Sequence, residues 1–303
     1  LWDLADELGI TVFGTSAKYI ASCEAAGVEL SANSKLSKLR TILSTGSPLS
    51  PESFDYIYNN VKKKVTLSSI AGGTDIISCF VLGNPNLPVH RGEIQCCGLG
   101  MNVHSYSING KPLIDKQGEL VCTSPFPSMP IYFWNDLDGE KYRKAYFEEY
   151  PSIWHHGDYI SISEHGGITM HGRSDATLNP GGVRIGTSEI YRVVESLSEI
   201  DDSLVIGQEW QGDERVILFV KLNNGFKLDN NLIDKIKNTI KSKCSPRHIT
   251  AKILETPDIP YTINGKKVEI AVKKIIHGQN VQNRDALANP ECLDYYKNLK
   301  ESV

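Results

Sequence analysis

Apolar residues recur along this chain with two different periods. Ile190, Val193, Val194 and Leu197 fall at i, i+3, i+4 and i+7, one face of a helix; Leu232, Ile233, Ile236 and Ile240 stripe a second, with Asp229 placed to cap it. Val268, Val272, Ile275 and Ile276 mark a third helix, and Asn289-Pro290 opens a last short one. Between them, 203–206, 215–222 and 251–254 read as strands. The stripes read as core-facing surfaces, which makes this stretch a small α+β domain.

Upstream, 11–16 reads as a strand, 18–26 as a helix stopped by Gly27, and 40–44 as a second strand. Ser50 suits an N-cap and Pro51 the first helical position, so a helix follows, and 64–68 is a third strand. Strand, helix, strand at this spacing predicts a parallel sheet, whose ligands sit at the carboxyl ends of the strands. From 91 to 135 the pattern gives short strands at 92–95, 103–108 and 119–122, with Asn109-Gly110 as a two-residue hairpin turn, which predicts a small β-barrel-like subdomain. Pro125, Pro127 and Pro130 force an irregular loop, and 141–150 reads as a surface helix. The pattern changes at 173–175, so the expected division is an α/β domain over 1–174 and the small α+β domain over 175–303.

Candidate chemistry sits at the turns. Gly46-Ser47-Pro48 follows one predicted strand, and Ile70-Ala71-Gly72-Gly73-Thr74-Asp75 follows the next. Thr74 offers a hydroxyl to a phosphate oxygen and Asp75 a hard oxygen for Mg²⁺; taken alone, the six residues read as a glycine-rich turn with Asp75 as a helix cap. Gly157 bends the chain before Asp158, a carboxylate suited to the paired hydroxyls of a ribose. Arg173 follows Gly172 with a fork of donors for phosphate or ribose oxygens. Gly181 and Gly182 let a ligand approach the backbone, one residue before Arg184. Either turn alone also reads as a plain surface connection. Lys266 follows Gly265 ahead of a helix, where a lysine is ordinarily a solvated charge.

Composition removes other classes. The chain has 303 residues, 40% hydrophobic and 22% charged, with a formal net charge of −4, so no basic field points to nucleic acid. Seven cysteines without a CxxC pair fit reduced thiols in the cytosol better than a disulfide framework. The longest apolar run, 76–82, is too short to span a bilayer, so no membrane insertion is expected. A start at Leu1 rather than Met gives the expectation of a truncated protein.

Gly157-Asp158, Gly172-Arg173-x-Asp175, Asn179-x-Gly181-Gly182-x-Arg184 and Pro260-x-x-x-x-Gly265-Lys266, in this order, resemble the adenylate-forming enzymes: acyl-CoA synthetases, luciferases and peptide-synthetase adenylation domains. Within that group the likeness is nearest to the acetoacetate-activating members. It runs over essentially the whole chain but matches only the C-terminal part of such an enzyme. The resemblance implies part of a large adenylate-forming domain, a mobile C-terminal domain, and an ATP-dependent ligation of acetoacetate to CoA with Mg²⁺. Gly46, Ser47 and Pro48 would face adenine, Thr74 the phosphates, Asp75 the metal (where many relatives carry Glu), and Asp158 and Arg173 the ribose. Asp175 would be the hinge, Gly182 would line the pantetheine passage, and Arg184 would hold a nucleotide phosphate of CoA. Lys266, with Thr74 and Asp75, would be catalytic; the role falls on Lys266 rather than Lys267 because it directly follows the glycine. Ala71, Gly72 and Gly73, where acetate-activating relatives carry bulky aromatics, are expected to leave room for a longer acyl group. The family's Ser/Thr/Gly-rich phosphate loop ending in Gly-Lys is not found, so the chain by itself is expected to turn over poorly. A ligase for another short or medium acid, and a non-catalytic nucleotide-binding module, remain open.

Overall fold

A computed structural model describes residues 1–30, 36–263, 265–281 and 284–299. Two compact units divide the chain, Leu1–His171 and Gly172–Val303.

The first unit opens with helix α1 (Trp2–Glu7), strand β1 (Val12–Ser16) and helix α2 (Ala17–Ala25). Ser16 caps α2 by accepting the Tyr19 N–H at 3.1 Å, and Gly27 closes it at φ +63°. Strand β2 (Thr41–Thr45) leads to helix α3 (Pro51–Tyr56), where Ser50 accepts the Ser53 N–H at 3.2 Å. After β3 (Thr66–Ser69), the order β1-β2-β3 makes the expected parallel sheet. Its core gathers Ile20, Ile42, Phe54, Ile57 and Leu67.

Strands β4 (Ala71–Gly73), β5 (Ser78–Leu82) and β6 (Cys96–Cys97) form a second sheet. Strands β7 (Val103–Tyr106), β8 (Pro112–Leu113), β9 (Gly118–Cys122), β10 (Trp154–Ile162) and β11 (Ile168–Arg173) form a third, ordered β11-β10-β9-β7-β8. Phe80 and Val81 from the second sheet share one core with Leu120, Trp154, Ile160 and Ile168 of the third. The expected strand at 92–95 is reduced to one bridge, Ile94 to Ile168. Asn109-Gly110 is not a two-residue turn. Ser107 donates its N–H to Lys111 O at 2.8 Å and Gly110 its N–H to Ser107 O at 2.9 Å, so the loop has three residues, with Gly110 left-handed at φ +68°. Helix α4 (Glu140–Tyr146) is shorter than expected. Its start is held by Asp136, whose carboxylate accepts the N–H groups of Lys141 at 3.0 Å and Tyr142 at 2.8 Å. Although desolvation opposes the charge, those N–H groups hold its carboxyl below the usual range.

In the second unit, helix α5 (Thr187–Val194) precedes β12 (Ile200–Trp210), β13 (Asp213–Leu222), helix α6 (Asn230–Lys243), β14 (Lys252–Glu255), helix α7 (Glu269–Ile276) and helix α8 (Cys292–Asn298). Strands β12 and β13 join through Gln211 (φ +52°) and Gly212 (φ +81°), the two-residue hairpin that positive φ at both positions defines. Val216, Leu218 and Val220 of β13 pack with α5 and α6, while Ile217 and Phe219 pack with α7 and α8. A strand covered on both faces needs an unbroken apolar run, which is why 216–220 shows no polar alternation.

Candidate functional site

The chain places two groups of candidate residues in its two units. In the first unit, β2 and β3 end side by side: Ser44 pairs with Ser69, and the Ile70 N–H donates to Ser44 O at 2.9 Å. Gly46, Ser47 and Pro48 therefore leave the same sheet edge from which β4 leads to Thr74 and Asp75. Gly46 takes φ +91°, and all three residues are exposed.

Thr74 and Asp75 lie on the turn between β4 and β5, so no helix follows for Asp75 to cap. A Cβ on Gly73 would stand 2.0 Å from Asp75 Oδ1 and 2.9 Å from His156 Cε1, and one on Gly72 would stand 2.1 Å from Ser78 O. The two glycines are thus required for close approach. Their own Cβ positions are taken up by Asp75, His156 and Ser78. Asp75 Oδ2 accepts the Tyr146 hydroxyl at 2.6 Å, and the Tyr146 ring stacks on Trp154 with centroids 3.7 Å apart. Burial and the Asp75 carboxylate push the Tyr146 hydroxyl up, which keeps it a donor.

Asp158 comes from β10, whose register with β9 shifts between His155 and Tyr159. Gly157 sits in that irregularity at φ +76°. Such a bulge re-aims the side chains beside it. His156 Nδ1 accepts the Trp154 indole N–H at 3.3 Å, its Nε2 lies 3.7 Å from Asp158 Oδ2, and its ring meets Phe80 edge-on at 4.7 Å. The two side chains are 7% and 14% exposed, so this pair is nearly closed to water. Asp75 and Asp158 therefore flank one histidine. In the sequence, His155 and His156 stand out beside the Gly-Asp turn with packing as their open reading, and nothing in the spacing of 141–150 marks Tyr146.

Among the described residues no group of three or more His, Cys, Asp or Glu could hold a metal ion. A lone exposed carboxylate such as Asp75 still fits Mg²⁺, which is commonly held by one or two carboxylates plus substrate phosphates and water.

In the second unit, Gly172 (φ +116°) opens a turn in which Arg173 Nε lies 3.5 Å from Asp175 Oδ1; both side chains are about half exposed. Leu178 bridges Ile185 and encloses the glycine pair, at φ +59° for Gly181 and +78° for Gly182. The Gly181 N–H donates to the Asp213 carboxylate at 3.1 Å and the Asn179 N–H to Glu214 Oε1 at 2.6 Å, so β13 anchors this loop. Added Cβ atoms on the two glycines would meet nothing within 4 Å; conformation, not crowding, calls for glycine there. Arg184 is exposed beside them.

Lys266 ends a hairpin turn. Thr262 donates its N–H to Lys266 O at 2.8 Å and accepts the Lys266 N–H on Oγ1 at 3.0 Å, with Gly265 at φ +73°. Asn264 lies outside the described residues. The Lys266 side chain is exposed, whereas Lys267 Nζ is enclosed by Glu195, Asp202 (2.8 Å) and Ser203 O, over the Tyr191 ring at 4.0 Å. Burial opposes the charge on Lys267, but Glu195 and Asp202 outweigh it and hold its pKa above the ordinary 10.5.

A parallel sheet with loops at its carboxyl edge, an antiparallel sheet carrying the Gly-Asp bulge, and an α+β unit with a Gly-Lys hairpin fit the adenylate-forming fold, and the similar solved structures place the chain in that fold class. A solved acetoacetyl-CoA synthetase from Streptomyces lividans superposes with a TM-score of 0.91 at 42% identity, over 99% of this chain and 47% of that one. The chain is related in sequence to the acetoacetyl-CoA synthetases. It is 55% identical over 301 residues to acetoacetyl-coenzyme A synthetase of Rhizobium meliloti (strain 1021), covering 99% of this chain and 46% of the relative. It is 53% identical over 303 residues to acetoacetyl-CoA synthetase of Danio rerio, covering 99% and 45%. The chain thus spans about half the length of the curated relatives it matches. No family model matches it. Among the described residues no helix is long and apolar enough to cross a membrane.

Proposed function

We propose that this chain is the part of an ATP-dependent acid–CoA ligase that holds the nucleotide and supplies the adenylation lysine, with acetoacetate as the acid. The observation that carries the reading is the likeness, over 99% of the chain, to proteins named acetoacetyl-CoA synthetase. All seven cysteines are unpaired, which supports a reducing compartment, the cytosol.

A carboxylate is a poor acyl donor because its leaving group would be oxide. Attack of a carboxylate oxygen on the α-phosphate of ATP forms an acyl-adenylate and releases pyrophosphate. Both reactants are anions, so cations must meet them. The ammonium of Lys266 neutralises charge developing on the α-phosphate and the attacking oxygen. Mg²⁺, when bound, supplies the same neutralisation at the phosphate oxygens, and Asp75 would hold it. Thr74 donates to a phosphate oxygen. Asp158 accepts from the ribose hydroxyls, with His156 packed behind it, and Arg173 adds donors on the sugar. Gly46, Ser47 and Pro48 face the adenine. The CoA thiol then attacks the acyl carbon and AMP leaves, a step without need of Lys266. Asp175 is the hinge between the two steps, Gly182 lines the path of the pantetheine arm, and Arg184 holds a CoA phosphate.

A chimera in which this chain replaces the matching 301 residues of the Rhizobium meliloti relative tests the reading. Acetoacetate-dependent exchange of pyrophosphate into ATP is expected, above that with butyrate. A soluble chimera that binds ATP but shows no exchange, or prefers butyrate, overturns it.

A further inference from the structure

We infer that Asp202, Tyr261 and Lys267 form a staple that positions Lys266, with the Asp202 carboxylate as its anchor. Only the functional half of this inference rests on the proposed role of Lys266.

The register of β12 against β13 slips by one residue between Ile200 and Asp202. Asp201 reaches Lys221 at 3.0 Å, while Asp202 turns inward with its side chain 9% exposed. Both Asp202 oxygens are occupied. Oδ1 accepts the Lys267 ammonium at 2.8 Å and the Ser203 N–H at 2.8 Å, and Oδ2 accepts the Tyr261 hydroxyl at 2.5 Å. Tyr261 and Lys267 are bridge partners across the two stems of the hairpin that ends in Lys266. One buried carboxylate therefore ties both stems. Because strand side chains alternate, fixing Lys267 inward sends Lys266 outward. Lys267 is closed in further by Glu195, Ser203 O and the Tyr191 ring. Tyr191 is itself fixed, donating to Glu269 Oε1 at 2.9 Å and accepting the Val205 N–H at 3.1 Å. Burial and Asp202 push the Tyr261 hydroxyl up, so it stays protonated and donating. The second lysine of Gly265-Lys266-Lys267 is thus a positioning residue. The first is left exposed on a turn whose two stems share one carboxylate.

The chain carries its own control. The hairpin of Ser107 to Lys111 has the same local bonds, but its stems are Tyr106 and Pro112, paired with each other, and proline has no N–H or polar side chain by which a carboxylate could tie it.

Amide hydrogen exchange on the 303-residue chain tests the staple. In Tyr261→Phe, exchange at the Thr262 and Lys266 amides should rise about tenfold, the factor carried by one intramolecular hydrogen bond. The amides of Ser107 and Lys111, and those of α6, should not change. No rise at Thr262 and Lys266, or an equal rise in α6, overturns the inference. Asp202→Asn should give a larger local rise; if it fails to fold, Tyr261→Phe, which keeps the Asp202–Lys267 pair, decides alone. In the chimera, Tyr261→Phe should lower pyrophosphate exchange about tenfold and leave thioester formation from added acyl-adenylate unchanged; an equal loss in both steps overturns the positioning role. Lys266→Ala run beside it separates the two ideas. Full exchange in that variant removes the role proposed for Lys266 and leaves the amide result standing.

Discussion

Ser107-Ile108-Asn109-Gly110-Lys111 in the first unit and Thr262-Ile263-Asn264-Gly265-Lys266 in the second are nearly the same pentapeptide, and they close the same turn. In each, the first residue exchanges hydrogen bonds with the lysine backbone, its hydroxyl takes the lysine N–H, and the glycine is left-handed. In each, the isoleucine is exposed, at 73% and 69%. What differs lies outside the five residues. The first turn rests on Tyr150, whose hydroxyl donates to Ser107 O at 3.2 Å. The second stands on the buried Asp202 and the half-buried Tyr261 and Lys267. Local sequence therefore fixes the shape of a Gly-Lys turn, and the stems decide whether its lysine is held in one direction.

The comparison can be broken at several points. The largest contrast is expected in chemistry: in the chimera, Lys266→Ala should cut overall ligation about a hundred- to a thousandfold, while Lys111→Ala leaves steady-state turnover unchanged. Next comes stability. Lys267→Met leaves Asp202 and Glu195 without their cation and should destabilise the second unit by about 3 kcal/mol in a denaturant titration, the lower end for a broken buried pair because Glu195 is partly exposed. Lys111→Met should stay within about 0.5 kcal/mol. A smaller and equal effect is expected for Gly110→Ala and Gly265→Ala, about 1–2 kcal/mol each, since both glycines are left-handed and neither is crowded. Unequal losses would show that the two turns are not locally alike. The smallest effect is in pH dependence. The folded-state pKa of Lys267 is raised, so its stabilisation is complete below 10.5 and is lost as pH rises through the higher folded value. The second unit should lose stability in that window in the wild type, and Lys267→Met should reduce this loss, leaving the part carried by Lys221, Tyr191 and Tyr261, whose pKa values are also raised.

Much of this architecture was legible beforehand. The helical stripes, the Ser50-Pro51 start and the Asp229 cap all rest on local rules, and each appears where those rules put it, except that α5 ends at Val194 and leaves Leu197 beyond it. The turns were harder. Asn109-Gly110 took a three-residue loop because Ser107, not Ile108, pairs with Lys111. Gln211-Gly212 was passed over because glutamine is an unusual residue at positive φ. In the candidate site, loops named from spacing could be placed, but the groups supporting them could not. His156 meets Asp158 through a bulge, Tyr146 reaches Asp75 across 71 positions, and Lys267 meets Asp202 through a register slip. Contacts that depend on slips and long loops leave no period to read.

The most direct measurement separates the two half-reactions in the chimera carrying Lys266→Ala. Loss of acyl-adenylate formation with thioester formation from added adenylate intact is expected. Normal adenylate formation by this variant would contradict the role assigned to Lys266.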